Sequence, residues 1–237
     1  MDVHKPKAAH GWREFLTEVG MIVVGVLIAL TAEQAVLRWE TAHRMHLAEL
    51  QVRAELGLDD GPQAAFRDAL GPCVASALER IRTTVESGAS RADLQTAIGA
   101  YDLTHPTWDD NAYRGALSSG LTAQMDPAHY ESWAYAYAVI PSLDREAERE
   151  THDTADLRAI SRTGGAITPE ERTQVLRAAA SLAVDNQEIS GRAHWLLDGM
   201  ARARVTLDRA QGAAQVDEAL KRPMAAACVA DLRSRFR

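Results

Sequence analysis

Apolar residues recur along the chain at three- and four-residue spacing, and no useful stretch alternates with period two. The pattern therefore predicts helices throughout. One segment departs from the amphipathic rule. From Val19 to Ala32 every residue is uncharged and nearly all are apolar, and Phe15, Leu16, Ala35, Val36 and Leu37 extend that character on both sides. Beyond Trp39 the pattern turns amphipathic, with Ala42, Met45, Leu47, Leu50 and Leu56 interleaved among Glu40, Arg44, Glu49, Arg53 and Glu55. One helix is predicted from about Trp12 to about Leu58, roughly 70 Å long at 1.5 Å per residue. Gly57, Asp59, Asp60, Gly61 and Pro62 predict its end.

A second helix is expected from about Pro62 to Glu86, bent or restarted at Gly71-Pro72. Ser90 to Ala100 reads as a short third helix, with Ser90 as cap and Asp93 as its third residue. Thr107 can cap a helix starting at Trp108. Asp126-Pro127 opens a longer one that carries Tyr130, Trp133, Tyr137 and Ile140 on one face, kinks at Pro141 and closes at Thr163-Gly164-Gly165. Thr168-Pro169-Glu170-Glu171 is a capping box with proline at the first helical position, and the helix after it should run towards Leu207. A last helix spans about Ala213 to Phe236 and contains Pro223. No repeat of 20–50 residues is visible.

Three readings compete for the uncharged run. Lys5, Lys7 and Arg13 ahead of a stretch ending Leu30-Thr31-Ala32 partly fit a cleaved signal peptide. A buried core helix fits too, since about 14 uncharged residues are fewer than the ~20 of a full span. The flanks favour a membrane anchor. Trp12 and Trp39 bracket the run at a separation of roughly 40 Å of helix, close to the full bilayer with its headgroups, and tryptophan prefers those two levels. Glu18 and Glu33 then fall roughly 22 Å apart, near the edges of the hydrocarbon. Carboxylates at that depth must snorkel to the interface, take up a proton or find a partner. Glu33-Gln34, with Thr31 just before them, are candidates for a polar contact with another transmembrane helix. Gly20 and Gly25 lack the spacing of a small-xxx-small dimer motif.

Composition supports the helical reading: alanine makes up roughly one residue in five or six and aromatics 5%. The 237 residues suffice for one domain with an appendage. Net charge of -7 at pH 7 and a lack of any basic stripe argue against nucleic acid as a partner. Lys5, Lys7 and Arg13 before the uncharged run nearly balance Arg38, Arg44 and Arg53 after it. A short tail carrying the only nearby lysines leans towards an N-terminus in the cytoplasm.

Two cysteines bear on the compartment. Cys73 shares a helical stripe with Phe66, Leu70, Ala77, Ile81 and Val85, and Cys228 another with Val216, Leu220, Met224 and Leu232. If those helices pack side by side the thiols can pair, which adds roughly 4–5 kcal/mol in the chain-entropy model and implies an oxidising compartment. The alternative is two buried free thiols acting as small hydrophobes.

Reactive motifs are scarce. Glycine-rich phosphate loops, CxxC pairs and a GxSxG elbow are absent from the sequence. His43 and His46 share a helix face with Glu40 or Glu49 within reach, but two histidines without a third ligand do not define a metal site. His105, Asp109 and Asp110 form the other dense polar cluster; the aspartates most simply occupy a helix first turn. The row Tyr130, Trp133, Tyr137 reads as core, with ligand or partner binding as the alternative. No cofactor or metal is implied.

Arg13-Glu14-Phe15-Leu16, continuing through Val26-Leu27-Ile28-Ala29-Leu30-Thr31-Ala32-Glu33-Gln34-Ala35-Val36, resembles the N-terminal anchor of an uncharacterised group of short bacterial membrane proteins. The likeness is clearest over about the first fifty residues. It implies a retained anchor followed by a helical domain, and carries no catalytic residues.

These readings combine into an all-α expectation: a cytoplasmic tail over 1–11, a transmembrane helix over 12–39 and an extracytoplasmic helical domain over 40–237. The cell membrane is expected to be a bacterial inner membrane, with the domain in the periplasm. Trp12, Glu18, Glu33, Gln34 and Trp39 are the candidate membrane and partner interface, and Cys73 and Cys228 the candidate disulfide. The expected role is a non-enzymatic accessory or assembly subunit whose partners are the bilayer and other transmembrane helices, its own copies included. A ligand-sensing bundle is the first alternative; with about a dozen residues inside the cell it would need a partner to signal. A membrane-anchored enzyme using His105, Asp109 and Asp110 is the second.

Overall fold

Between Trp12 and Glu86 the backbone stays helical without interruption in the computed structural model, which describes residues 11–101, 107–162, 164–219 and 221. Helix α1 (Trp12–Ala54) passes into a π-helical segment (Glu55–Asp60) and then into α2 (Gly61–Glu86). The helix break expected at Gly57 to Pro62 does not occur. The Gly61 N–H donates to the Leu56 carbonyl five residues back, the bonding of a π turn. The glycines are there for close packing instead. A Cβ on Gly57 would lie 3.0 Å from the Thr206 carbonyl oxygen, and one on Gly61 would overlap the Met200 side chain. Pro62 falls where the π segment gives way to α2. Nor does α2 restart at Pro72; the Asn186 amide of the later helix α7 (Pro169–Arg202) donates to the Gly71 carbonyl at 3.0 Å, tying the two helices at that level.

The remaining elements are α3 (Arg91–Gly99), α4 (Asn111–Ser118), a 3-10 turn (Leu121–Gln124), α5 (Pro127–Tyr137), α6 (Ile140–Ser161), α7 and α8 (Arg209–Ala219). No strand occurs among the described residues. The fold is all-α: a long apolar N-terminal helix that continues into a helical bundle.

Three caps read from sequence are in place. Ser90 and Asp93 form a capping box, Thr168 and Glu171 form another, and Asp126 accepts from the amides of Ala128 and His129. Four boundaries differ from expectation. Helix α4 starts at Asn111 rather than Trp108, because Trp108 is drawn into the core and the Asp109 amide is held by Asp60. Pro141 marks a break rather than a kink: α5 stops at Tyr137, and Pro141 lies in the first turn of α6. Helix α7 ends at Arg202, short of Leu207. Arg204 turns left-handed (φ 53°), the Val205 amide reaches back to the Met200 carbonyl, and the Arg204 amide to that of Ala201, which is a Schellman end. Helix α8 begins at Arg209, ahead of the expected Ala213; Cys228 and the rest of that predicted helix lie outside the described residues.

The chain divides into two compact units, Met1–Leu47 and Ala48–Arg237. In the first, every described residue from Gly11 to Trp39 is exposed. In the second, α7 packs against α2, α5 and α6 and forms the axis of the bundle. Its N-terminal half supplies Val175, Ala179 and Leu182 to one apolar cluster with Leu70, Val74, Ile81, Leu94 and Leu157. Its C-terminal half supplies Ile189, Ala193, Leu196 and Met200 to another with Leu56, Trp133, Ile140 and Leu143. A polar layer occupies the level between them. Arg67 of α2 pairs with Glu150 of α6 at 2.8 Å, the side chains only 1% and 0% exposed, and buried Thr154, Asp185 and Asn186 belong to the same helices, α6 and α7.

Candidate functional site

Leucine, valine, isoleucine and alanine give α1 its apolar N-terminal part, and the helix satisfies their backbone groups internally. Two hydroxyls in this part are satisfied in the same way. Thr17 donates to the Arg13 carbonyl at 2.8 Å, and Thr31 to those of Leu27 and Ile28, each at 2.9 Å. The described residues include one helix long and apolar enough to cross a membrane, with its apolar window entirely unburied. Trp12 and Trp39, at its two ends, are 73% and 70% exposed. Trp12 stacks on Phe15 with ring centroids 6.0 Å apart, and Trp39 on His43 at 5.8 Å. Glu18, Glu33 and Gln34 are exposed and make no hydrogen bond or ion pair among the described residues. The two glutamates are fifteen positions apart, which places them within about 60° of each other around the helix.

The histidine pair next to this segment does not build a metal centre. His43 is stacked on Trp39, Glu40 is paired with Arg44, and Glu49 is bound by Arg53 at 2.7 Å. No group of three metal-ligating side chains occurs among the described residues.

Of the second polar cluster the structure describes Asp109 and Asp110. His105 lies outside the described residues. Asp110 pairs with Arg114 one turn on, while Asp109 Oδ1 accepts from the Asn111 amide at 2.9 Å. Asp109 belongs to a different constellation that sequence reasoning missed. Glu55 on the π segment accepts from the Tyr137 hydroxyl at 2.7 Å and from the Ala112 amide at 2.8 Å. Asp60, wholly buried, accepts from the Asp109 amide at 3.2 Å, and its Oδ2 has no partner. An open pocket of about 440 Å³ beside it is lined by Gln51, Glu55, Asp59, Asp109 and Asn111. Burial, reinforced by the charges of Glu55, Asp109 and Asp59, pushes the Asp60 carboxyl up to about 8. Burial and the Glu55 carboxylate raise the Tyr137 phenol well above its ordinary range. The signal in the sequence was register: Val52, Leu56, Asp60 and Ala64 recur every four residues, so Asp60 continues a stripe that is otherwise apolar.

Trp133 and Tyr137 are buried, and Tyr137 stacks on Tyr113 at 4.6 Å, so this part of the aromatic row belongs to the core. Cys73 is half-buried on α2 and disulfide-bonded. No protein-family model, curated protein or solved structure matches the chain.

Proposed function

We propose that the protein is a non-enzymatic single-pass protein of the bacterial inner membrane. Residues 1–11 lie in the cytoplasm, 12–39 cross the bilayer and 40–237 form a periplasmic domain that serves as an accessory or assembly subunit of a larger membrane complex. The observation that carries this reading is the exposure of α1. Thirteen large apolar side chains between Phe15 and Leu37 stand open, among them Met21, Ile22 and Ile28 at 66%, 66% and 62%. An apolar surface of that extent marks a membrane or protein contact. The bracketing tryptophans favour the membrane, and the disulfide at Cys73 favours an oxidising compartment for the domain. The resemblance of the anchor to that of short bacterial membrane proteins points the same way.

Glu33 and Gln34, unpartnered and at the edge of the apolar run, form the contact with the neighbouring helix. Replacing both with leucine (Glu33→Leu, Gln34→Leu) leaves the protein in the membrane fraction and releases its partner from a detergent pull-down read by mass spectrometry. Undiminished co-purification with the double variant defeats the Glu33-Gln34 contact, a wild-type pull-down with no stoichiometric membrane partner defeats the subunit reading, and wild-type protein recovered from the soluble fraction defeats the anchor.

A further inference from the structure

We infer that the π segment is a proton-operated latch: protonated Asp60 holds the connector from Trp108 to Ala112 against the bundle, and loss of that proton to water releases it. Both inward-facing carboxylates of the π segment bind this connector through its backbone, Asp60 at the Asp109 amide and Glu55 at the Ala112 amide. Trp108, only 6% exposed, is the side chain they keep in the core. π turns are rare and frequently mark functional positions, and this one places an acid on an apolar stripe.

Burial of Asp60 outweighs the help that the Asp109 amide would give its charge. Glu55 and Asp59 face it from its own segment, Asp109 from the connector and Tyr137 from α5. Among the described residues, the charges that act on Asp60 are those of Glu55, Asp109 and Asp59, all acidic. Arg53, just before the π segment, is engaged by Glu49 and by the Arg204 carbonyl. A closed latch therefore keeps Asp60 neutral, with its midpoint at about 8, whereas an opened one exposes it to water at an ordinary midpoint near 3.8. The closed state is fully favoured below the lower value. Its advantage shrinks as pH rises and levels off above the upper one, where Asp60 is ionised in both states. Within that window, opening releases one proton, so each pH unit multiplies the opening equilibrium by up to about ten.

Hydrogen exchange on the full chain in detergent micelles tests this. Protection factors, corrected for intrinsic exchange, should fall about 100-fold at the Asp109 and Ala112 amides between pH 5.5 and 7.5. They should stay flat over that range in Asp60→Asn. A pH-independent wild type, or an equal slope in the variant, overturns the latch. Carbon-13 titration of the Asp60 carboxyl in wild-type protein gives a readout that needs no variant: a raised midpoint is expected, and an ordinary carboxylate midpoint overturns the proposal.

Discussion

Arg67 and Glu150 show how much a single buried pair constrains the bundle. Arg67 Nε and Nη1 have no hydrogen-bond partner, so the Glu150 carboxylate is the counter-charge the guanidinium has in the core. Removing one partner strands the other, at a cost of about 3–5 kcal/mol, whereas replacing both with apolar residues of similar volume is close to neutral. Urea denaturation of the micelle-bound protein should accordingly show Arg67→Met and Glu150→Leu each strongly destabilised and the double variant near wild type. Equal losses in the singles and the double would mean that packing, not charge, sets the cost. Neither residue was singled out from sequence, because an arginine and a glutamate 83 positions apart read as solvated surface until a tertiary contact joins them. Asp60 was legible by register but hidden behind its neighbours, since Gly57, Asp59, Gly61 and Pro62 are the residues that normally end a helix.

At the scale of elements, the boundaries closed by a local side-chain cap were legible and those set by distant contacts were not. A start is encoded locally: Ser90 with Asp93 and Thr168 with Glu171 satisfy one another's backbone within four residues, whatever the rest of the chain does. The end of α7 is not encoded so. Arg204 takes a left-handed turn usually left to glycine, and the bond from Arg53 to its carbonyl fixes it from 151 residues away. The same holds for the connector from α6 to α7. Arg91 of α3 donates to the carbonyls of Ile160, Gly165 and Ala166 and pairs with Glu171 at 2.6 Å, so one side chain gathers the loop and the next helix cap. Helix α5 meets α7 at a point where a side chain cannot fit: a Cβ on Gly199 would lie 2.6 Å from the Ala136 Cα. Gly199→Ala should push these helices apart and destabilise by about 1–3 kcal/mol, read as a lowered thermal midpoint. An unchanged midpoint would mean that α5 slides without cost.

At the scale of the whole molecule, the helical class and the apolar N-terminal helix were both readable, because each follows from periodicity summed over many residues. The internal organisation of the bundle was not, since nothing in a periodicity assigns a helix half to one cluster or another. That organisation has a consequence for cooperativity. Helix α7 is shared by two apolar clusters that meet across the layer of Arg67, Glu150, Thr154, Asp185 and Asn186. Contacts within each cluster support one another, while the ion pair between them contributes little net stability beyond its own desolvation. The bundle is thus built as two foldons that share α2, α6 and α7. Native-state exchange under rising denaturant should sort the α7 amides into two groups with different opening free energies and different denaturant slopes. Val175 to Leu182 form one group and Ile189 to Met200 the other, with the boundary near Asp185; a single isotherm along α7 would make the bundle one cooperative unit instead. A helix that looks like a spine would then behave, in time, as two.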